Sequence, residues 1–341
     1  MTTYRAAVVG CGWVSGEHIA AYKKHPQTEV AALVSLTVEE ARRKAEEYGL
    51  NVPCYDSVEK MMQQEKPDIV SITSIPTMHV EHGLCAVEYG AQLVMEKPVA
   101  LSREDLHRLT RSVTEHGTKS VVSFVLRWNP LFSIIRALLD DGAVGELFYG
   151  EVDYYHGIGP WYKQYEWNKT KAAGGNTLLS AGCHALDALV WFMGSPVTEV
   201  HAYATRSKRD IYMAYEYAPT LVTLVQFEDG RCGKVTSCIE VNAPYMFPIL
   251  LLGSEGTIRN NQLYSSRKLP GQTNFATIPT ILPDSGDVTH HPFQGEINHF
   301  VDCLERGVDS SVPIAYAAKI MELCYAAEES ALSGRSVRME G

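Results

Sequence analysis

A short apolar run at Ala6–Val9 is followed by helical spacing of apolar positions from Ser15 to His25, then by a second apolar run at Val30–Val34. Val38–Tyr48 reads as a charged helix that stops at Gly49. The alternation continues through a strand at Asp68–Thr73, a helix over His82–Tyr89 closing at Gly90, and a strand at Gln92–Met95. A helix over Ser102–His116 and a strand at Ser120–Val125 complete the pattern. Short strands that are apolar on both faces and separated by helices predict a parallel sheet covered on both sides.

From about residue 126 the pattern changes. Longer strands are expected at Glu146–Tyr154, Val197–Thr205, Leu221–Phe227, Gly233–Glu240 and Phe247–Leu252, with Asp229-Gly230 as a hairpin turn. Helices are expected at Leu131–Leu139, around Cys183–Phe192, and at Glu296–Glu305 and Ile314–Leu332. Leu269–His291, rich in Pro, Gly, Thr and Asp, reads as a long loop. The expected architecture is therefore α/β. A Rossmann domain over residues 1–125 precedes a domain over residues 126–341 built on a large, mostly antiparallel open sheet.

Composition narrows the function without naming it. At 341 residues the chain is long enough for two domains, and 45% hydrophobic with 21% charged residues suits a globular protein. With 30 basic and 40 acidic residues the formal charge is −10, and there is no basic run, which argues against nucleic acid and anionic membranes as partners. No signal peptide is expected from the residues at the start of the chain, and no window reaches membrane-spanning length. The eight cysteines form no C-x-x-C pair and lie in apolar stretches, so a reducing, cytoplasmic setting is expected.

Gly10-Cys11-Gly12-Trp13-Val14-Ser15 directly follows the first strand and opens a helix. It carries two glycines of G-x-G-x-x-G, with Ser15 at the third place. Gly10 permits a tight turn, and Gly12, with Trp13 and Val14 beside it, lets the backbone approach a pyrophosphate. The helix N-terminus offers free N–H groups to that anion. Ser15 is small enough for close helix packing, and Gly16 is expected to loosen the register slightly. The second strand ends in Ser35 where an acid for the ribose diol of NAD is expected, so NAD and NADP both stay open.

Lys97 follows an apolar strand and so projects at the carboxyl edge of the sheet, where it is either a solvated lysine in a surface turn or an ammonium that holds a substrate hydroxyl and stabilises developing alkoxide. The run Asp68–Thr73, Pro76, His79, Gly90 and Glu96-Lys97-Pro98 resembles the glucose–fructose oxidoreductase, inositol dehydrogenase and MocA (Gfo/Idh/MocA) family. So do Arg127-x-x-Pro130 with Gly142 and Gly145, and Gly174-Gly175 with Leu178, Gly182, His184 and Asp187. The resemblance implies an NAD(P)-dependent oxidoreductase acting on a CH–OH group of a sugar, glycoside or cyclitol. It also implies cofactor contacts from Thr73, Ser74, Pro76, His79, Glu96, Lys97 and Arg127, and a Lys97–Pro98 bond of the kind that is often cis. Lys97 and His184 are the implied catalytic pair, with His184 as general base since an unperturbed imidazole titrates near neutrality. Asp187 either orients His184 or caps the helix, and Arg127 either flanks the cofactor or is a buried structural arginine. The chain departs from the family at Ser180, where the usual block carries an aspartate.

The aromatic stretch containing Tyr154, His156 and Trp161 is either a sugar-binding wall or a core or oligomer-interface cluster; Lys171 is expected to reach the substrate or an anionic substituent, and His291 the active-site mouth. His290-His291, Glu296 and His299 have metal-ligand types, but no metal is expected. Two other functions compete: a redox-neutral NAD-dependent glycosidase or lyase that oxidises its sugar transiently, and a non-catalytic nucleotide or sugar sensor. A small carbohydrate as substrate and a homodimer or homotetramer formed through the open sheet are the expected partners, the latter by analogy.

Overall fold

The computed structural model describes residues 3–283 and 287–339. The chain forms two compact units, one of Met1–Val125 with Val288–Met321 and one of Leu126–Asp287 with Glu322–Gly341.

The first unit is a wound α/β sheet. In chain order it runs β1 (Tyr4–Val9), α1 (Ser15–Lys24), β2 (Thr28–Val34), α2 (Val38–Glu47), β3 (Cys54–Tyr55), α3 (Val58–Glu65) and β4 (Ile69–Ile72). It continues with α4 (His79–Glu88), β5 (Gln92–Met95), α5 (Arg103–Glu115) and β6 (Ser120–Val122). Among the described residues these make six parallel strands in the order β3-β2-β1-β4-β5-β6. The order reverses between β1 and β4, the place where such sheets open a crevice at the carboxyl ends of their strands. Ala6–Val9, Ile69–Ile72 and Leu93–Met95 are fully buried, as helices on both faces require. Thr37, Ser57 and Ser102 start α2, α3 and α5 by accepting a hydrogen bond from the backbone N–H three residues on.

The chain returns to this unit after residue 287. Val122 N–H donates to Val312 O (2.9 Å), Ile314 N–H to Ser120 Oγ (3.0 Å) and Ser310 Oγ to Ser120 O (2.6 Å), so the returning segment is stitched along β6. The helix Phe293–Arg306 packs on α1, where Phe293 meets the His18 ring at 5.1 Å. Its Glu296 has no exposed surface and faces Glu96 and Ser123. Burial, reinforced by the Glu96 charge, pushes the Glu296 pKa far above that of an ordinary carboxyl and so favours its protonated form. Periodicity alone gives no sign that the segment belongs with the first third of the chain.

The second unit is built on a mixed, mostly antiparallel sheet of β7 (Leu147–Val152), β8 (Tyr154–Tyr155), β9 (Val197–Thr205), β10 (Thr220–Phe227), β11 (Cys232–Cys238) and β12 (Ile249–Gly253). β13 (Gly256–Arg259), β14 (Gln262–Ser265), β15 (Ala276–Thr277) and β16 (Val337–Arg338) extend it. The order is β15-β14-β13-β12-β7-β11-β10-β9-β16, with β8 beside β11. The pairings of β11 with β7 and β8 are parallel and the rest antiparallel. Asp229-Gly230 makes the hairpin turn between β10 and β11. The hairpin of β13 and β14 has no counterpart in the sequence expectation, and the expected loop at 269–291 contains the short strand β15. The strand expected through Val125 ends at Val122, and Val125–Trp128 is a 3-10 turn. The helix Cys183–Met193 covers one face of the sheet at β7 and β11. No described helix is long and apolar enough to cross a membrane.

Arg127 anchors the second unit. Its Nε and Nη2 donate to the two carboxylate oxygens of Asp187 at 2.8 and 2.7 Å, and its guanidinium lies 4.6 Å from the centre of the Trp191 ring. Both charged side chains are almost wholly buried. Losing one member leaves a buried charge unpaired, so Asp187→Ala should lower unfolding free energy by about 3–5 kcal/mol in urea titrations. A loss below about 1 kcal/mol would mean that the pair is replaceable by water. Glu296 makes the opposite kind of prediction. Its folded pKa is raised, so the wild type loses stability as pH climbs above about 4.5, where only the unfolded chain releases the proton. Glu296→Gln should remove that dependence, its advantage over the wild type growing by up to about 1.4 kcal/mol per pH unit between pH 5 and 8. Parallel melting-temperature curves for the two proteins would show that Glu296 carries a charge in the fold.

Candidate active site

The turn after β1 is shaped by what lies across from it. Gly10 has φ +97°, and a Cβ there would run into the backbone of Thr73 and Ser74, so only glycine fits this crossing. Thr73 Oγ1 donates to Gly10 O (2.7 Å) and lies 3.1 Å from Val9 O, clasping the turn to the end of β4. Ser74 is fixed in turn, its carbonyl 2.9 Å from His79 Nε2 and its Oγ 3.0 Å from His82 Nδ1. Burial lowers the His82 pKa to about 4, so this imidazole is neutral at ordinary pH. Pro76 is buried at the start of the turn Pro76–Met78 that leads into α4.

Gly12 behaves differently. A Cβ there would meet nothing within 4 Å, so its backbone borders open space. Ser15 Oγ donates to Gly12 O (2.7 Å), and Val14 at the N-cap of α1 has no polar side-chain atom with which to cap the helix. An open glycine beside an uncapped helix N-terminus fits the pyrophosphate of a dinucleotide. Trp13 and Val14 are partly exposed there. Gly16 does not loosen the register: any side chain on it would collide with the Tyr48 hydroxyl, so it is where α1 packs against the end of α2.

At the end of β2, Gly10 N–H donates to Val34 O (2.8 Å), which brings the glycine turn against Ser35. Ser35 Oγ donates to Glu40 Oε2 at 2.9 Å. Glu40 was not among the sequence candidates, although Thr37-x-x-Glu40 is a capping-box spacing that marks an acid at this helix start.

At the end of β5, Lys97 is the one partly exposed residue in the otherwise buried run Leu93–Ala100. Its neighbours are clamped on both sides. Glu96 Oε1 lies 3.1 Å from His18 Nε2, and the other nitrogen of that ring lies 3.2 Å from Ser71 Oγ, which also meets the Tyr22 hydroxyl at 2.7 Å. Burial by itself would raise the Glu96 pKa, but the His18 hydrogen bond and charge, with Lys97 and His79 behind them, hold it below the usual value. On the other side the Lys97–Pro98 peptide is cis and Pro98 O lies 2.7 Å from His79 Nδ1. Burial pushes the His79 pKa down, against the two carbonyl contacts that favour its charged form. His18, Ser71 and Tyr22 escaped sequence reading because each alone looks like an ordinary core position.

In the second unit Ser180 lies in a single π-helical turn, Leu178–Gly182, which leads directly into the helix carrying His184. Such turns are rare and concentrate at functional sites. Ser180 Oγ lies 3.4 Å from Thr177 O, and the side chain also reaches Tyr217. His184 is buried on the first turn of its helix. Asp187, one turn on, gives both carboxylate oxygens to Arg127.

Tyr154, His156 and Trp161 are gathered in this unit. The Tyr154 ring meets Tyr245 edge-on at 5.4 Å, and His156 meets Tyr162 and Tyr245 at 5.4 and 5.6 Å. Burial raises the Tyr154 pKa well above that of a free phenol. Trp161 is 64% exposed, its indole N–H donating to Gly157 O (3.0 Å). His156 and Trp161 line a cavity of about 380 Å³ together with Arg209, Asn242 and Tyr245. Neither Arg209 nor Tyr245 was marked in the sequence, since both lie far along the chain from the aromatic stretch. Lys171 is not part of this cluster: its ammonium pairs with Glu328, and its backbone N–H donates to Glu216 (2.7 Å). His291 lies in the first unit, its ring stacked with Phe293 at 6.3 Å. Among the described residues no three His, Cys, Asp or Glu side chains gather as a metal ion would need.

Two family models cover most of the chain. Residues 4–124 match the oxidoreductase family with NAD-binding Rossmann fold, and residues 132–259 match the GFO/IDH/MocA C-terminal domain. The D-glucoside 3-dehydrogenase of Escherichia coli is 28% identical over 59% of this chain, a match spanning 57% of that relative's own length. The D-apiose dehydrogenase of Paraburkholderia graminis is 24% identical over 99% of this chain and 90% of the relative. Among solved structures, an Agrobacterium radiobacter oxidoreductase in complex with NAD+, L-tartaric acid and magnesium superposes with a TM-score of 0.86 at 21% identity, covering 99% and 98% of the two chains. The glycine turn, the parallel sheet and the mixed sheet that follows it are those of one group of proteins, and the chain belongs to the Gfo/Idh/MocA oxidoreductase family, with an NAD-binding Rossmann domain.

Proposed function

We propose that the chain is an NAD-dependent dehydrogenase acting on a CH–OH group of a sugar, glycoside or cyclitol, with Lys97 holding the reacting oxygen and His184 moving its proton. The observation that carries the reading is the presentation of Lys97. It is the one side chain left partly exposed in a buried strand end, and its backbone is pinned through Glu96 to His18 and through Pro98 to His79. A flexible ammonium on a rigid base is suited to a fixed oxygen, because the donor loses little freedom on binding. The names of the relatives, a D-glucoside 3-dehydrogenase and a D-apiose dehydrogenase, support a sugar as the substrate class.

When bound, the nicotinamide supplies the two-electron chemistry. The chain supplies binding, orientation and proton handling. The open backbone at Gly12 and the uncapped start of α1 hold the pyrophosphate. Lys97 Nζ binds the carbinol oxygen and stabilises its negative charge as the proton leaves. His184 takes that proton in oxidation and returns it in reduction. The cavity at His156, Trp161 and Arg209 offers an aromatic face with polar edges, which suits the C–H patches and hydroxyls of a sugar ring. Tyr203 and Leu224, exposed on neighbouring strands of the second sheet, support self-association of that face into a homo-oligomer.

Two variants test the reading. Gly12→Val should fold normally, since nothing opposes the new side chain, yet lose NADH binding in a fluorescence titration. Unchanged affinity would remove the pyrophosphate from this turn. Lys97→Ala should keep NADH binding while turnover of the sugars accepted by the wild type falls by at least about a hundredfold. Loss of nucleotide binding with turnover per bound enzyme unchanged would make Lys97 a cofactor contact instead.

A further inference from the structure

Ser35 stands where the second strand of a dinucleotide fold ends, and a serine there cannot tell NAD from NADP: its hydroxyl hydrogen-bonds a ribose hydroxyl or a 2′-phosphate equally well. The structure supplies the missing charge from another element. Glu40 lies in the first turn of α2, and its carboxylate accepts a hydrogen bond from Ser35 Oγ at 2.9 Å. Glu40 is partly exposed, so one edge of the carboxylate is held and the rest remains available to a ligand. The glycine turn is tied to this same strand end by Gly10 N–H to Val34 O at 2.8 Å and by Cys11 Sγ, 3.5 Å from that carbonyl. A dinucleotide whose pyrophosphate rests on Gly12 therefore brings its adenosine ribose to Ser35 and Glu40.

We propose that Glu40, positioned by Ser35, is the residue that selects NAD over NADP. This rests on the reading of the Gly10–Ser15 turn as the cofactor site. A carboxylate accepts hydrogen bonds from both hydroxyls of a free ribose diol and repels a 2′-phosphate, whose charge it matches in sign. The helix start around it already carries two negative groups, Glu39 and Glu40. The α2 cation whose charge reaches Cys11 of the glycine turn is already engaged by other groups. Lys44, one turn further along the same face of α2, pairs with Glu47 at 2.9 Å and lies over the Tyr48 ring at 5.5 Å. Selectivity thus comes from two side chains five residues apart, one carrying the charge and the other holding it.

The experiment is a fluorescence titration of the wild type, Glu40→Gln and Ser35→Ala with NADH and NADPH, with thermal unfolding to verify that each variant is folded. The wild type should bind NADH more tightly than NADPH. Glu40→Gln should shift the ratio of the two affinities toward NADPH by about tenfold or more, the value of one charged hydrogen bond and the repulsion it replaces. Ser35→Ala should shift the ratio in the same direction by less, because the carboxylate stays but is no longer held. A wild type that prefers NADPH overturns the proposal, as does a Glu40→Gln variant whose ratio is unchanged while both nucleotides still bind. If the wild type binds neither nucleotide, the cofactor-site reading itself fails and takes this inference with it.

Discussion

The crossing of the glycine turn over the end of β4 is the constraint on which the first unit depends. No side chain fits between Gly10 and the backbone of Thr73 and Ser74, and Thr73 closes the gap with its own hydroxyl. That contact fixes the carboxyl ends of β1 and β4 at the place where the strand order reverses. From there the other constraints follow in sequence. Ser74 is held by His79, His79 holds Pro98, and Pro98 sets the backbone that presents Lys97. A single line of short polar contacts therefore runs from the anion-binding turn to the proposed catalytic lysine without leaving the unit.

A second buried line approaches the same strand end from the opposite side. Tyr22 and Ser71 meet His18, and His18 meets Glu96, which is flanked by the buried acid Glu296. Two carboxyl groups near one another inside a core cannot both be charged at acceptable cost. The division of labour here is physical: the His18 contact favours the ionised form of Glu96, while burial favours the protonated form of Glu296.

Much of this arrangement was legible in the sequence, and the reasons differ by region. The parallel sheet announces itself through runs such as Ala6–Val9 and Leu93–Met95, where burial on both faces leaves no polar position. The turn at Gly10 and Gly12 is readable because its spacing is local. β3, α3 and the hairpin of β13 and β14 were not, since two- to eight-residue elements give too few periods to separate from loop. Partnerships across long separations were also hidden. The sequence leaves Asp187 to orient His184 or to cap the helix, whereas its carboxylate meets Arg127, sixty residues earlier. Lys171 carries a charge next to a glycine pair and looked free to reach a ligand, but a glutamate 157 residues later claims it. The role proposed for Glu40 is hidden for a subtler reason: an acid is expected at the strand end, and the carboxylate held by Ser35 belongs to the helix that follows.

The stitching of Ser310, Val312 and Ile314 along β6 has a consequence for how the molecule is made. The first unit is discontinuous in the chain, and its last contributions lie some two hundred residues after the strand they complete. On a ribosome, the nucleotide-binding sheet would emerge early with the outer flank of β6 and the surface of α1 uncovered, and would stay so while the whole second sheet was synthesised. Closure of a loop of that length is entropically dear and slow, so the final docking of the helix Phe293–Arg306 is suited to be the late step of folding. Until it occurs, Glu296 is still in water, and the burial that raises its pKa makes proton uptake part of the docking of this helix.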